Sequence, residues 1–342
     1  MAGAGHDSAY VQPLAAWQVT LDGQDITSRF SPRLIRLRLA ERRGEEADEL
    51  EIELHDAAGD LVLPPEGARL SVALGWARGS GVEAGLVDKG QFTVDELTWS
   101  GPPDTITIRG RSADLKDTFR TRKSRSWKDT TLGDIVTKVA GEHGLQPRCH
   151  PDLADKPVTL AEQANKSDMQ FLRDLGRRYD ATASPKAGCL IFAPVNATTT
   201  ATGKPLPSLT ITRQSGDSVS YRRAARERAQ DGAEADWQDQ DAAERRQVQA
   251  GGERKRKLKR VYASETDATE AAKAETNRLK RAEATLSLTL AHGNAAIAPG
   301  LSVRATGFKA EIDEKPWRIA SANHEMDATG GFRTALELDV AG

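Results

Sequence analysis

From Trp17 to about Leu115 the apolar residues recur at every second position, as in "WQVTL" (Trp17, Val19, Leu21), "LIRLRL" (Ile35, Leu37, Leu39) and "ELEIEL" (Leu50, Ile52, Leu54). A period of two puts successive side chains on opposite faces of an extended chain, so each stretch predicts a strand with one buried and one solvated face. Further strands are expected at "RLSVALGW", "QFTVDELTW" and "DTITIRG", separated by turn clusters such as "DAAGD", "LPPEG" and "SGPPD". Short strands at this spacing predict an antiparallel barrel or sandwich.

At Trp127 the period changes. In "SWKDTTLGDIVTKVAGEHGL" the residues Leu132, Ile135, Val136 and Val139 follow helical spacing, with Thr130 or Thr131 as N-cap and Gly144 at the C-terminus. "KSDMQFLRDLGRRYD" predicts a second helix capped by Ser167, with Met169, Phe171, Leu172 and Leu175 on one face, and "ATASPKAGCLIFAP" a hairpin. Beyond a Pro/Thr-rich connector, "SYRRAARERAQDGAEADWQDQDAAERRQVQAGG" favours helix weakly by composition but has no apolar stripe. "SETDATEAAKAETNRLKRA" predicts a helix capped by Ser264, with acids in its first turn and Arg278, Lys280 and Arg281 in its last. Strands resume at "ATLSLTL", "GLSVRATGF", "PWRIASANHEM" and "FRTALELDV", with "DATGG" turning between the last two. At 342 residues the chain has length for two or three domains at roughly 150 residues each.

"ERKRKLKRVY" raises the question of nucleic acid, because Arg254, Lys255, Arg256, Lys257, Lys259 and Arg260 surround one leucine. Against it stand 48 Lys plus Arg and 50 Asp plus Glu, a formal net charge of -2, and acidic stretches on both sides of the run. Nor do aromatic residues interleave the cations for base stacking, so a solvated loop or a protein-docking surface is expected.

No phosphate-binding loop or nucleophile elbow occurs; "GSGVEAG" (Gly79, Gly81, Gly85) lacks the required lysine and reads as a loop between strands. His143, Cys149, His150 and Asp152 lie close in sequence, but their spacing matches no zinc pattern, which leaves a helix end and a loop. Cys149 and Cys189 have no C-x-x-C partner, so neither a zinc site nor a disulfide framework is signalled and a reduced cytosolic assembly is expected. His292 and His324 read as hydrogen-bonded sheet residues, and Asp95 with Glu96 carries little weight as a glycosidase pair. "MAGAGHDSAYVQPL" is no secretory signal, and no apolar run approaches the roughly 18 residues of a membrane span. Residues 1–16 are expected to be a flexible arm.

The blocks "SWKDTTLGDIVTKVAGEHGL" and "LAEQANKSDMQFLRDLGRRYDATASPKAGCLIFAP" resemble the phage late control D family, the baseplate hubs of contractile tails, and the hub portion of type VI secretion spike proteins. "RLKRAEATLSLTLAHGNAAIAPGLSVRATGFKAEIDEKPWRIASANHEMDATGGFRTALEL" resembles it as closely. The resemblance implies a mixed, mainly β fold with two similar antiparallel β-barrel domains, over residues 17–117 and 196–342, flanking an α/β domain over 118–195. It turns the segment around "ADWQDQDAAERRQVQAG" from helix to strands of the second barrel, with a basic loop and a helix (about 253–282) inserted. It implies a homotrimer that adapts a hexameric tail tube to a trimeric spike, beside other baseplate proteins, in a virion tail or tailocin particle assembled in the host cytoplasm. The implied protein is not an enzyme. It needs no cofactor, metal or catalytic residue, has no membrane partner and recognises no specific nucleic acid. The alternative is a cell-envelope binding or peptidoglycan-degrading tail protein.

Overall fold

The computed structural model describes residues 10–44, 47–112, 119, 121–186, 188–223, 230–239, 242–327 and 331–342. The alternating N-terminal stretch folds into β1 (Leu14–Leu21), β2 (Gln24–Asp25), β3 (Leu34–Arg42), β4 (Glu49–His55), β5 (Arg69–Arg78), β6 (Gly85–Ser100) and β7 (Thr105–Arg111), with a one-turn helix α1 (Thr27–Phe30) after β2. The pleat turns Leu37, Leu39, Leu50, Ile52 and Leu54 inward, each at most 1% exposed. Burying a side chain of this size stabilises by about 1.5–3 kcal/mol, so a one-residue slip in register would forfeit most of this core. β1 begins three residues before Trp17, and Val11 is already tied to Ser80, its N–H to the hydroxyl and its carbonyl to the Ser80 N–H. The expected arm is therefore anchored from Val11 onward; its first nine residues lie outside the described ones.

The middle of the chain forms β8 (Arg122–Thr131), α2 (Leu132–Glu142), β9 (Gln146–Cys149), α3 (Pro151–Ala154), β10 (Pro157–Ser167), α4 (Asp168–Tyr179), β11 (Ala181–Lys186) and β12 (Cys189–Pro194). Thr131 is the residue that caps α2. Its hydroxyl accepts the Asp134 N–H while the Asp134 carboxylate accepts the Thr131 N–H, which satisfies two otherwise orphaned donors. Gly144, at φ +69°, lets the chain leave the helix left-handed. Ser167 caps α4 with one bond, its hydroxyl accepting the Gln170 N–H, and Met169, Phe171, Leu172 and Leu175 join Leu132, Ile135 and Val139 in one buried cluster. β8 pairs antiparallel with β10, and β11 and β12 form a hairpin whose second strand runs parallel to β9.

The remainder forms β13 (Ser208–Thr212), β14 (Gly216–Arg223), β15 (Gly232–Asp239), β16 (Glu244–Gly251), β17 (Lys255–Tyr262), α5 (Glu265–Arg281), β18 (Ala284–Leu290), β19 (Ser302–Thr306), α6 (Ala310–Asp313), β20 (Trp317–Asp327) and β21 (Gly331–Val340). The turn expected at "DATGG" lies mostly outside the described residues, at 328–330. Two expectations change here. The basic run is strand β17 and not a loop, because its backbone pairs with β15 while Leu258 packs onto the cluster beneath. Furthermore, β15, β16 and β17 hydrogen-bond to one another as a separate sheet rather than to the strands of the larger one. Alanines account for this: Ala233 and Ala235 of β15 meet Ala268 and Ala272 of α5, and side chains that small let the helix lie close on the sheet.

The larger sheet is continuous through both ends of the chain. Its order runs β14-β18-β21-β20-β3-β4-β7-β6-β5-β1-β2, with β20 antiparallel to β3. The final hairpin therefore serves two cores. Ile319, Leu336 and Leu338 pack with the C-terminal strands, while Met326 and Phe332 pack among the N-terminal leucines.

Candidate assembly surface and the charged networks behind it

The residues that the sequence marks as possible ligands do not converge. His143 stacks on Phe119 with ring centroids 3.6 Å apart and places Nε2 2.8 Å from an Asp168 oxygen. His150 caps α3, its Nδ1 accepting the Asp152 N–H, and its Nε2 lies 2.8 Å from the Thr199 hydroxyl. Burial, with Asp155 nearby, pushes the Cys149 thiol up to about 11, which removes it as a nucleophile near neutral pH. Among the described residues no group of three or more His, Cys, Asp and Glu is placed to hold a metal ion. Asp95 and Glu96 each meet an arginine, Arg111 at 3.3 Å and Arg109 at 3.0 Å, rather than facing one another across a cleft. The "GSGVEAG" stretch turns between β5 and β6, and His292 stands edge-on to Trp76.

What the fold does bring together is buried charge. Glu41 on β3, Lys89 on β6 and His324 on β20 are 3%, 7% and 0% exposed. Lys89 Nζ lies 2.5 Å from Glu41 and also donates to the carbonyls of Ala295 and Ile297. The His324 ring reaches Glu41 through Nε2 at 3.1 Å and the Thr334 hydroxyl through Nδ1 at 2.9 Å. From β11, Lys186 approaches the same carboxylate at 3.9 Å and pairs with Asp48 at 2.9 Å. One acid thus joins the β3/β20 seam to the β6 strand and the middle region. The sequence carried a signal for this. Glu41 is in phase with Leu37 and Leu39, and His324 with Ala322 and Met326, so each is a polar residue at an inward position.

Burial holds the His324 pKa below its ordinary value of 6.5, helped by the Lys89 charge and only partly opposed by Glu41. A histidine depressed in the fold binds its proton more readily when unfolded, so its contribution is complete above about pH 6.5 and is lost as the pH falls below that. Burial raises the Glu41 carboxyl, but His324 and Lys89 outweigh it and leave it below the usual range, a contribution lost only at lower pH. Urea midpoints measured between about pH 8 and 5 are expected to fall, and His324→Gln to flatten the upper part of that slope. An unchanged slope in the variant would assign the acid sensitivity to another group.

A second network fixes the middle region. Asp168, fully buried at the start of α4, accepts from Lys123 at 2.7 Å, Arg125 at 2.7 Å and Gln163 at 2.8 Å besides touching His143. Glu142 at the end of α2 takes Lys123 and Arg125 from the other side. Burial raises the Asp168 carboxyl, but the surrounding donors outweigh it and hold it below the usual range, so it stays ionised. A third set ties this region to α5: Arg178 and Tyr179 both bond Asp267, and Arg281 grips Asp180 with both guanidinium nitrogens.

The outer face of the large sheet is charged and balanced. Arg38 faces Glu325, Arg36 faces Glu51 and Glu53, and Arg109 bridges Glu51 and Glu96 along an open groove of about 680 Å³. Exposed pairs of this kind are screened by solvent, so they shape the surface more than they hold the fold. Apolar side chains stand out elsewhere: Leu14 on β1 with Leu86 and Val87 on β6 flank β5, and Trp99 on β6 is 58% exposed. β17 closes the small sheet as an open edge. Arg256 pairs with Glu275 and Lys257 with Asp236, while Lys255, Lys259 and Arg260 have no carboxylate at ion-pair distance among the described residues. The buried charges of these networks are thus used internally, whereas the charges and apolar side chains of the outer faces stand toward solvent.

Comparison with known proteins bears on what those surfaces meet. The family model described as phage tail baseplate hub (GPD) matches residues 47–330. The probable baseplate hub protein of Escherichia phage 186 is 38% identical over 367 residues, covering 95% of this chain and 92% of that protein. Two solved structures share the fold. The 43 kDa tail protein of prophage MuSo2 from Shewanella oneidensis superposes with a TM-score of 0.69 at 14% identity, over 95% of this chain and 98% of its own. The E. coli c3393 protein, a component of the type VI secretion system, does so with a TM-score of 0.56 at 10% identity, over 91% of this chain and 74% of its own. A match of this extent, on a mainly β chain built of large antiparallel sheets, is sufficient: the chain belongs to the phage tail baseplate hub family.

Proposed function

We propose that this chain is the non-catalytic hub of a contractile tail or tailocin baseplate, acting as a homotrimer that joins a hexameric tail tube to a trimeric spike. In this reading residues 17–117 and 196–342 are two similar barrel-like units and 118–195 an α/β domain beside them. Three copies then offer six β units to the tube and a threefold face to the spike. The observation that carries the reading is the β3/β20 pairing, which sets the two β regions side by side in one sheet and gives them a fixed relation within each copy. The Glu41–Lys89–His324 cluster stiffens that same seam. Lys255, Lys259 and Arg260 of β17, which have no carboxylate at ion-pair distance among the described residues, would contact acidic neighbours in the assembled baseplate, in the virion or in the host cytoplasm where it forms.

For the alternative, a cell-envelope binding or peptidoglycan-degrading tail protein, Asp95 and Glu96 offer no support as a catalytic pair, since each is neutralised by an arginine. The test is the native mass by light scattering, first of the purified chain and then with the spike protein from the same gene cluster. Three copies of 37.0 kDa give about 111 kDa, the mass expected of the chain alone or of its share of a heavier complex once spike is added. A chain that stays monomeric in both would overturn the trimeric adaptor.

A further inference from the structure

Arg318 on β20 is 4% exposed, yet its guanidinium has no carboxylate at ion-pair distance among the described residues. It donates to the carbonyls of Ala197, Gly300 and Asn196, all neutral, and its Nε–H is buried with no acceptor. Asp339, opposite it in the β20/β21 register, is already held by both guanidinium nitrogens of Arg43. Burial and the nearby Arg43 push the Arg318 pKa below its ordinary value, and Asp339 opposes them only in part, as expected of a cation without an ion pair of its own. Buried cations are ordinarily paired, because desolvating an ion costs several kcal/mol that only an opposing charge or a full set of donors and acceptors offsets.

Arg318 lines a groove of about 580 Å³ where all three regions of the chain meet. One wall is the outer face of the β9–β12–β11 sheet, with Ile191 and Ala193 half-buried; the other runs from Val195 to Leu206. Alternation explains the apolar floor: Leu190 and Phe192 point into the core below, so Cys189, Ile191 and Ala193 point into the groove. Further cations stand on its border, Arg148 bonded to Gln146 with no carboxylate at ion-pair distance among the described residues, and Lys186 and Arg43 with acids of their own. An apolar floor under an excess of positive charge selects a ligand that is apolar on one side and anionic at one point.

We propose that this groove docks an extended segment of another baseplate subunit, in which an apolar side chain covers Ile191 and an adjacent Asp or Glu supplies the anion that Arg318 and Arg148 lack. The proposal rests on the hub reading above, since it needs a partner present in the tail. The test places a photoreactive benzoylphenylalanine at Ile191 of the full chain in assembled tail particles and identifies the crosslinked peptide by mass spectrometry. The expected product is a peptide of a different tail protein, joined at an apolar residue next to an acid. Arg148→Glu is expected to cut the yield about tenfold, with recovery when the partner's acid is changed to arginine. Thr202→Glu on the opposite wall repeats the loss at an exposed position independent of Arg148. Crosslinking to a second copy of this chain, to lipid or to nucleic acid, or a yield indifferent to both substitutions, would overturn the proposal. So would the absence of any crosslink in particles that contain the chain. The native mass of the same photoreactive chain separates the two readings: a trimer without the crosslink sinks the groove alone.

Discussion

Replacing Lys89 by alanine is expected to lower the unfolding free energy by about 3–5 kcal/mol, the range for removing one partner of a buried ion pair. Three losses combine. Glu41, 3% exposed, keeps a charge with only His324 and the more distant Lys186 beside it. The carbonyls of Ala295 and Ile297 each lose a donor, and the volume of the lysine stem becomes a cavity at the edge of the N-terminal core. A urea titration reads the effect as a shifted midpoint at unchanged slope. The double replacement Glu41→Leu with Lys89→Met separates charge from packing: with no ion left to strand, it is expected to recover much of the stability lost by Lys89→Ala. A single variant less than about 1 kcal/mol below the parent, the range of an exposed pair, would show that the seam does not depend on this cluster.

The Asp168→Ala variant is expected to lose a comparable amount, about 3–5 kcal/mol, for the complementary reason that it strands cations instead of an anion. Lys123, Arg125 and His143 converge on one carboxylate that is fully buried, and Gln163 loses an acceptor with them. Glu142 still meets Lys123 and Arg125 from the other side, which limits that stranding without removing it, and the buried His143 and Gln163 each lose a partner besides. Asp168→Asn keeps the shape and one acceptor oxygen and is expected to fall between the two. A loss for Asn as large as for Ala would assign the whole effect to charge, and no loss for either would dissociate the network from stability.

These sites were only partly legible in the sequence. The strands could be read because burial on one face imposes a period of two, and Leu37, Leu39, Leu50 and Ile52 satisfy it without help from distant residues. Caps were equally readable: Thr131, Ser167 and Ser264 each bond an N–H three residues away, so the relevant partners lie within the same few letters. Glu41 and His324 were visible as polar residues in the apolar phase, but their shared partner Lys89 was not. The basic run misled in the other direction. Six cations in seven residues give no period-two pattern, and only the pairing with β15 and the seat for Leu258 make the segment a strand.

By itself, then, the sequence determined whatever depends on neighbours a few residues away: strand and helix positions, their caps, and the family resemblance carried by long ordered blocks. Only the tertiary structure decided that β3 pairs with β20, that β15 to β17 stand apart as their own sheet, and that Arg318 is buried with no carboxylate at ion-pair distance among the described residues. The physical reason is that strand pairing and the energy of a charge are set by whatever surrounds them in space, and those surroundings come from residues hundreds of positions away, as Glu41 and His324 do.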